Sequence, residues 1–144
     1  MGTFRTFDHT ADVGLMVQAE SLEDLLETAA RGLFSVMLDD GPDQATVEAD
    51  LVVAPQPPFE DDAAELLVVW LQELLYRFET ERLVPLRFSF QEVRPGGVCA
   101  RVGFGRFDPD RHAARLGVKA VTYHDLEVRE EPDGGWSARL VLDV

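Results

Sequence analysis

Three places in the sequence hold side chains able to do chemistry: Asp8-His9-Thr10-Ala11-Asp12 near the start, His124-Asp125 late, and Asp143 beside Val144 at the end. Asp12 lies where a strand should begin and Asp143 where the last strand should finish, and Val144 adds a terminal carboxylate. If those two strands are neighbours, three carboxylates converge at one sheet edge. Such a set repels itself unless a proton or a cation intervenes, and all-oxygen donors favour a hard divalent ion, Ca²⁺ or Mg²⁺. The alternative stays open: Asp12 caps a turn and Asp143 is a solvated chain end.

His124 falls by alternation with Ala120, Thr122, Leu126 and Val128 on an inward face, which predicts a hydrogen-bonded core histidine. Asp125 shares the other face with Tyr123 and Glu127. His9 beside carboxylates does not amount to a transition-metal site. Cys99, mid-strand between Val98 and Ala100, reads as a small buried thiol. Gly96-Gly97 and Gly103-Phe104-Gly105 lack the strand-to-helix context and the Lys-Ser/Thr pair of a phosphate loop. Ser21, Ser35, Ser89 and Ser137 sit in no nucleophile elbow.

The elements that must position these groups follow from periodicity. Alternating apolar residues predict strands over Phe4 to His9 and Asp12 to Ala19, bridged by Thr10 and Ala11, with Val13, Leu15, Val17 and Ala19 on one face. Ser21 with Asp24 forms a capping box for a helix carrying Leu22, Leu25, Leu26, Ala29, Leu33, Val36 and Met37 on one stripe and ending near Asp39-Asp40-Gly41-Pro42. Thr46 to Ala54 is a strand closed by prolines. Asp62 and Glu65 open a second helix with Leu67, Leu71, Leu74, Leu75 and Phe78, widened by Val68, Val69 and Trp70. A helix apolar nearly all round belongs at the centre, packed on a sheet. Two hairpins end the chain: Leu86 to Arg94 with Val98 to Phe104, and Lys119 to Glu130 with Trp136 to Val144. Asp108 to Gly117 between them is a loop with a short helical turn. The order β-β-α-β-α-β-β-β-β predicts an α+β fold, a largely antiparallel sheet with two main helices packed on it.

The 144 residues suit one domain, 1–144. With 46% hydrophobic and 28% charged residues, the composition is that of a globular protein. A single cysteine excludes an internal disulfide and a multi-cysteine metal site, and suits a reducing interior. No apolar run approaches the ~18 residues of a membrane span, and no export signal opens the chain, so a cytoplasmic protein with no membrane partner is expected. The net charge is −14, which disfavours tight direct nucleic-acid binding. From Glu20 to Arg82 there are 16 acidic and 3 basic residues, whereas Leu83 to Val144 has 9 of each. One half is therefore strongly acidic, suited to solubility or to docking on a basic partner.

Four segments together carry a family resemblance: Asp8-His9-Thr10-Ala11-Asp12-Val13-Gly14, Leu22-Glu23-Asp24-Leu25, Val118-Lys119-Ala120-Val121-Thr122-Tyr123-His124-Asp125-Leu126 and Leu142-Asp143-Val144. In order and length the whole chain resembles archease. The resemblance implies a non-catalytic protein cofactor of an RtcB-type RNA ligase in tRNA splicing and RNA repair. Such a cofactor promotes guanylylation and turnover of the ligase and broadens its nucleotide use. It implies a metal site at Asp12, Asp143 and Val144, with Asp8, His9, Lys119, His124 and Asp125 as candidates for partner contact or support of the site. The family has also been likened in fold to a redox-regulated chaperone. Two positions depart from its pattern: Arg106 stands where Glu is usual and Arg111 where Lys is usual. A metal-dependent phosphohydrolase or nuclease, and a general chaperone, are the competing readings.

Overall fold

The computed structural model describes residues 1–9 and 12–144. The expected bridge at Thr10 and Ala11 lies outside the described residues, as does the side chain of His9. Eleven elements follow in order among the described residues: β1 Thr3–His9, β2 Asp12–Ala19, α1 Leu22–Met37, β3 Leu38–Asp40, β4 Val47–Val53, α2 Ala63–Glu81, β5 Leu83–Arg94, β6 Gly97–Arg106, β7 Ala113–Ala114, β8 Ala120–Glu130 and β9 Trp136–Asp143. The fold is α+β, and every strand pair described is antiparallel.

The strands divide into a four-stranded sheet in the order β1-β2-β9-β8, a three-stranded sheet β4-β6-β5, and the short ribbon β3-β7. Helix α1 packs on β1, β2 and β9 of the first sheet and β5 of the second, while α2 packs on β8 and on β4 and β5. The helices thus form a layer between the two large sheets. That is why α2 is apolar nearly all round, with Leu66, Leu67, Val68, Trp70, Leu71 and Leu74 fully buried. The Trp70 indole N–H donates to the Leu26 carbonyl of α1 at 3.0 Å, and its ring lies against Phe88 and Phe90 of β5. One residue therefore joins both helices to the second sheet.

Local chemistry sets the helix ends. Ser21 Oγ accepts from the Asp24 amide at 3.1 Å, and the Asp24 carboxylate reaches back to the Glu20 amide at 3.0 Å. This satisfies amides that no helical turn can serve. Asp62 does the same for α2 by accepting from the amides of Ala64 and Glu65. Arg82 closes α2 with a left-handed φ of 59°.

The structure differs from the sequence expectation at several points. Helix α1 stops at Met37, and the next three residues pair as β3 with β7, a contact too short to show alternation. Strand β5 begins at Leu83 rather than Leu86 and runs through Pro85. A proline is tolerated there because β5 is an edge strand and its register shifts between Pro85 and Arg87. Cys99 in β6 is partly rather than fully buried.

Candidate functional site on the outer face of the four-stranded sheet

In an antiparallel sheet, residues in register project to the same face, so the pairing of β1, β2, β9 and β8 lays out a grid. Leu15, Val17, Leu140 and Leu142 face the helices and belong to the core. The opposite, outer face is built of four rows. At one end Asp12 is in register with His9 on one side and Asp143 on the other, and Asp143 with Ala120. The second row holds Phe7, Gly14, Val141 and Thr122; the third Arg5, Met16, Arg139 and Glu127; the fourth Thr3, Gln18, Ser137 and Arg129.

The expected convergence of the two strand ends is present: Asp12 and Asp143 are direct register partners on adjacent strands. Both are partly buried. The strand end is held by the Lys119 amide, which donates to the Asp143 carbonyl at 2.7 Å, and Val144 packs against the core. Two carboxylates directly across a strand pair destabilise the sheet unless something positive lies between them. Their oxygens suit a hard cation rather than a soft one. Among the described residues no three side chains of His, Cys, Asp or Glu gather at one point, so a cation here would take further oxygens from the main chain or water.

The other sequence-derived candidates distribute unevenly. Asp8 is opposite Val13, on the face away from Asp12. Lys119 is exposed just before β8. His124 is not the core histidine that alternation suggested: its side chain is 62% exposed. The cause is a register shift between Thr122 and Glu127, which pair with Val141 and Arg139, so that Tyr123 to Leu126 loop out of the ladder. Asp125 takes a φ of 54° in this excursion, and its carboxylate lies 3.4 Å from His124 Nε2. Tyr123 points the other way and donates from its hydroxyl to Glu65 Oε1 at 2.8 Å. That bond, with some burial and the nearby charge of Glu65, raises the Tyr123 pKa above its ordinary value of 10.0.

Sequence reasoning passed over the second row. Gly14 leaves room for the Phe7 ring, which a Cβ would overlap, and the Arg139 guanidinium stacks on that ring 4.2 Å from its centroid. Val141, the register partner of Gly14, is fully buried yet outside the core between the sheets, which marks a small second packing layer. The signal was available: a glycine inside a strand pattern marks the close approach of another group.

Comparison with known proteins agrees with this architecture. The model of the Archease protein family matches residues 4–144. Protein archease of Pyrococcus furiosus is 35% identical over 147 residues, covering 100% of both chains. That of Methanosarcina mazei is 32% identical over 145 residues, covering 98% of this chain and 95% of the relative. The solution structure of Methanobacterium thermoautotrophicum protein 1598 superposes with a TM-score of 0.72 at 32% identity, covering 98% of each chain.

Proposed function

The chain belongs to the archease family, and from that membership we propose that it is a non-catalytic activator of an RtcB-type RNA ligase. In this reading it promotes guanylylation and multiple turnover of the ligase in tRNA splicing and RNA repair, broadens its use of nucleoside triphosphates, and works in the cytoplasm. A divalent cation, Ca²⁺ or failing that Mg²⁺, sits between Asp12 and Asp143, with the carboxylate of Val144 as a third anionic donor. The observation that carries the reading is the register pairing of Asp12 with Asp143, which sets residues of two separate family motifs opposite each other at one end of the outer face.

The cation would supply a fixed positive charge; the protein's own residues do the positioning. Strand pairing keeps Asp12 and Asp143 in register on adjacent strands, and the Lys119-to-Asp143 backbone bond keeps β9 from fraying at that end. His124 and Asp125 are carried on the exposed excursion of β8, where a partner could reach them. The acidic stretch from Glu20 to Arg82 steers the protein to a basic surface of the ligase, so that the protein binds the enzyme and not the RNA.

The test is RNA ligation by the cognate ligase under single-turnover and multiple-turnover conditions, with and without this protein. Stimulated guanylylation and additional turnovers are expected. A ligase indifferent to the protein in both formats overturns the proposal, and RNA cleavage by the protein alone with added metal would replace it with a nuclease.

A further inference from the structure

The third row of the outer face carries two guanidiniums in a protein whose net charge is −14. Arg5 and Arg139 flank Met16 in the same row, and among the described residues neither forms an ion pair. Most other arginines do: Arg31, Arg77, Arg87, Arg94, Arg101, Arg115 and Arg129 each lie beside a carboxylate. With so many acids available, two adjacent cations left without one are a feature to be explained.

Both are held in place by groups that do not neutralise them. Arg139 leans across Gly14 onto the Phe7 ring, and Arg5 donates to Met16 Sδ at 3.3 Å. An aromatic face and a thioether orient a guanidinium while leaving most of its N–H donors for a ligand. The two side chains line a groove of about 360 Å³ together with Gln18, Ser137, Arg129 and Glu127. That volume exceeds what a bare inorganic ion fills and falls at the small end of ordinary ligand sites, roughly 300–1,000 Å³.

We propose that Arg5 and Arg139 bind the phosphate group of a small phosphate monoester seated in this groove. Two planar forks can each take a pair of oxygens from a tetrahedral dianion, whereas one carboxylate engages only one fork fully. Gln18 offers its amide to the organic part, while the Ser137 hydroxyl donates to Glu131 Oε1 at 2.6 Å. Arg129 is held by Glu127, and that carboxylate, with Glu131, bounds the groove along β8. Those acids and the net charge keep out an extended polyanion. The site uses neither Asp12 nor Asp143, which lie one row beyond Phe7 and Gly14, and it stands independently of ligase activation.

The experiment is a titration of the full chain with inorganic phosphate and with ribose 5-phosphate, read by calorimetry and by the NMR shifts of the arginine side chains. Saturable binding is expected, weakened about tenfold by either Arg5→Gln or Arg139→Gln, the scale of a lost charge-assisted fork. Arg101→Gln, on the other large sheet and already ion-paired, should leave the affinity unchanged. Tighter binding of ribose 5-phosphate supports a monoester with its sugar in the groove; equal binding supports the phosphate group as the sole determinant. Acetate binding as tightly as phosphate, an equal loss in Arg101→Gln, or unchanged affinity in both outer-face variants overturns the proposal, as does absence of saturation.

Discussion

The Tyr123 hydroxyl donates to the Glu65 carboxylate at 2.8 Å, tying the excursion of β8 to the first turn of α2. It anchors the segment that carries His124 and Asp125. Tyr123→Phe should lower stability by no more than about 1 kcal/mol, since the pair is exposed. The folded-state pKa of Tyr123 is raised, so its contribution is fully present below the unfolded value and is lost as pH rises through the folded one. Denaturant midpoints of the two proteins should therefore differ at neutral pH and converge above pH 10.0. A constant difference across that range would show that the hydroxyl bond is not its source.

Replacing Asp143 with Asn should have opposite effects with and without calcium. Without the ion, removing its charge from beside the like charge of Asp12, its register partner, should stabilise the sheet by about 0.2–1 kcal/mol. With it, binding should weaken by at least about tenfold, because hard-cation affinity follows ligand charge and count. Thermal unfolding with and without added Ca²⁺ separates the two. A wild-type midpoint insensitive to Ca²⁺ and Mg²⁺ would remove the cation from the site.

Gly14→Ala should cost about 1–3 kcal/mol, because its methyl group would occupy the space of the Phe7 ring on the outer face. Adding Phe7→Ala should recover part of that loss. The double-mutant cycle measures the coupling, and strict additivity would place the strain elsewhere.

Stimulation of the ligase should decline as salt is raised, because the proposed docking face carries 16 acidic and 3 basic residues between Glu20 and Arg82. The screening length falls from about 10 Å at 0.1 M salt to about 3 Å at 1 M. Association rates measured across that range should drop steeply. A flat profile would point to an apolar interface.

The sequence by itself determined the local structure and one long-range convergence. Both helix starts were written in Ser21 with Asp24 and Asp62 with Glu65, because a cap is a contact between residues two or three apart. Seven of the nine strands followed from alternation, while the short β3 and β7 did not. The approach of Asp12 to Asp143 could be stated as a condition, one strand beginning where another ends, but only the pairing of β2 with β9 met it. Tertiary structure alone decided the rest. The division of strands into two sheets around a helix layer depends on which faces pack together, a choice that periodicity leaves open. Alternation places His124 inward because it assumes an unbroken ladder; the shift between Thr122 and Glu127 turns it outward. The outer-face grid of Phe7, Gly14, Arg5 and Arg139 exists because β1, β2 and β9 lie in one register, and a one-residue slip would send each of those side chains to the opposite face.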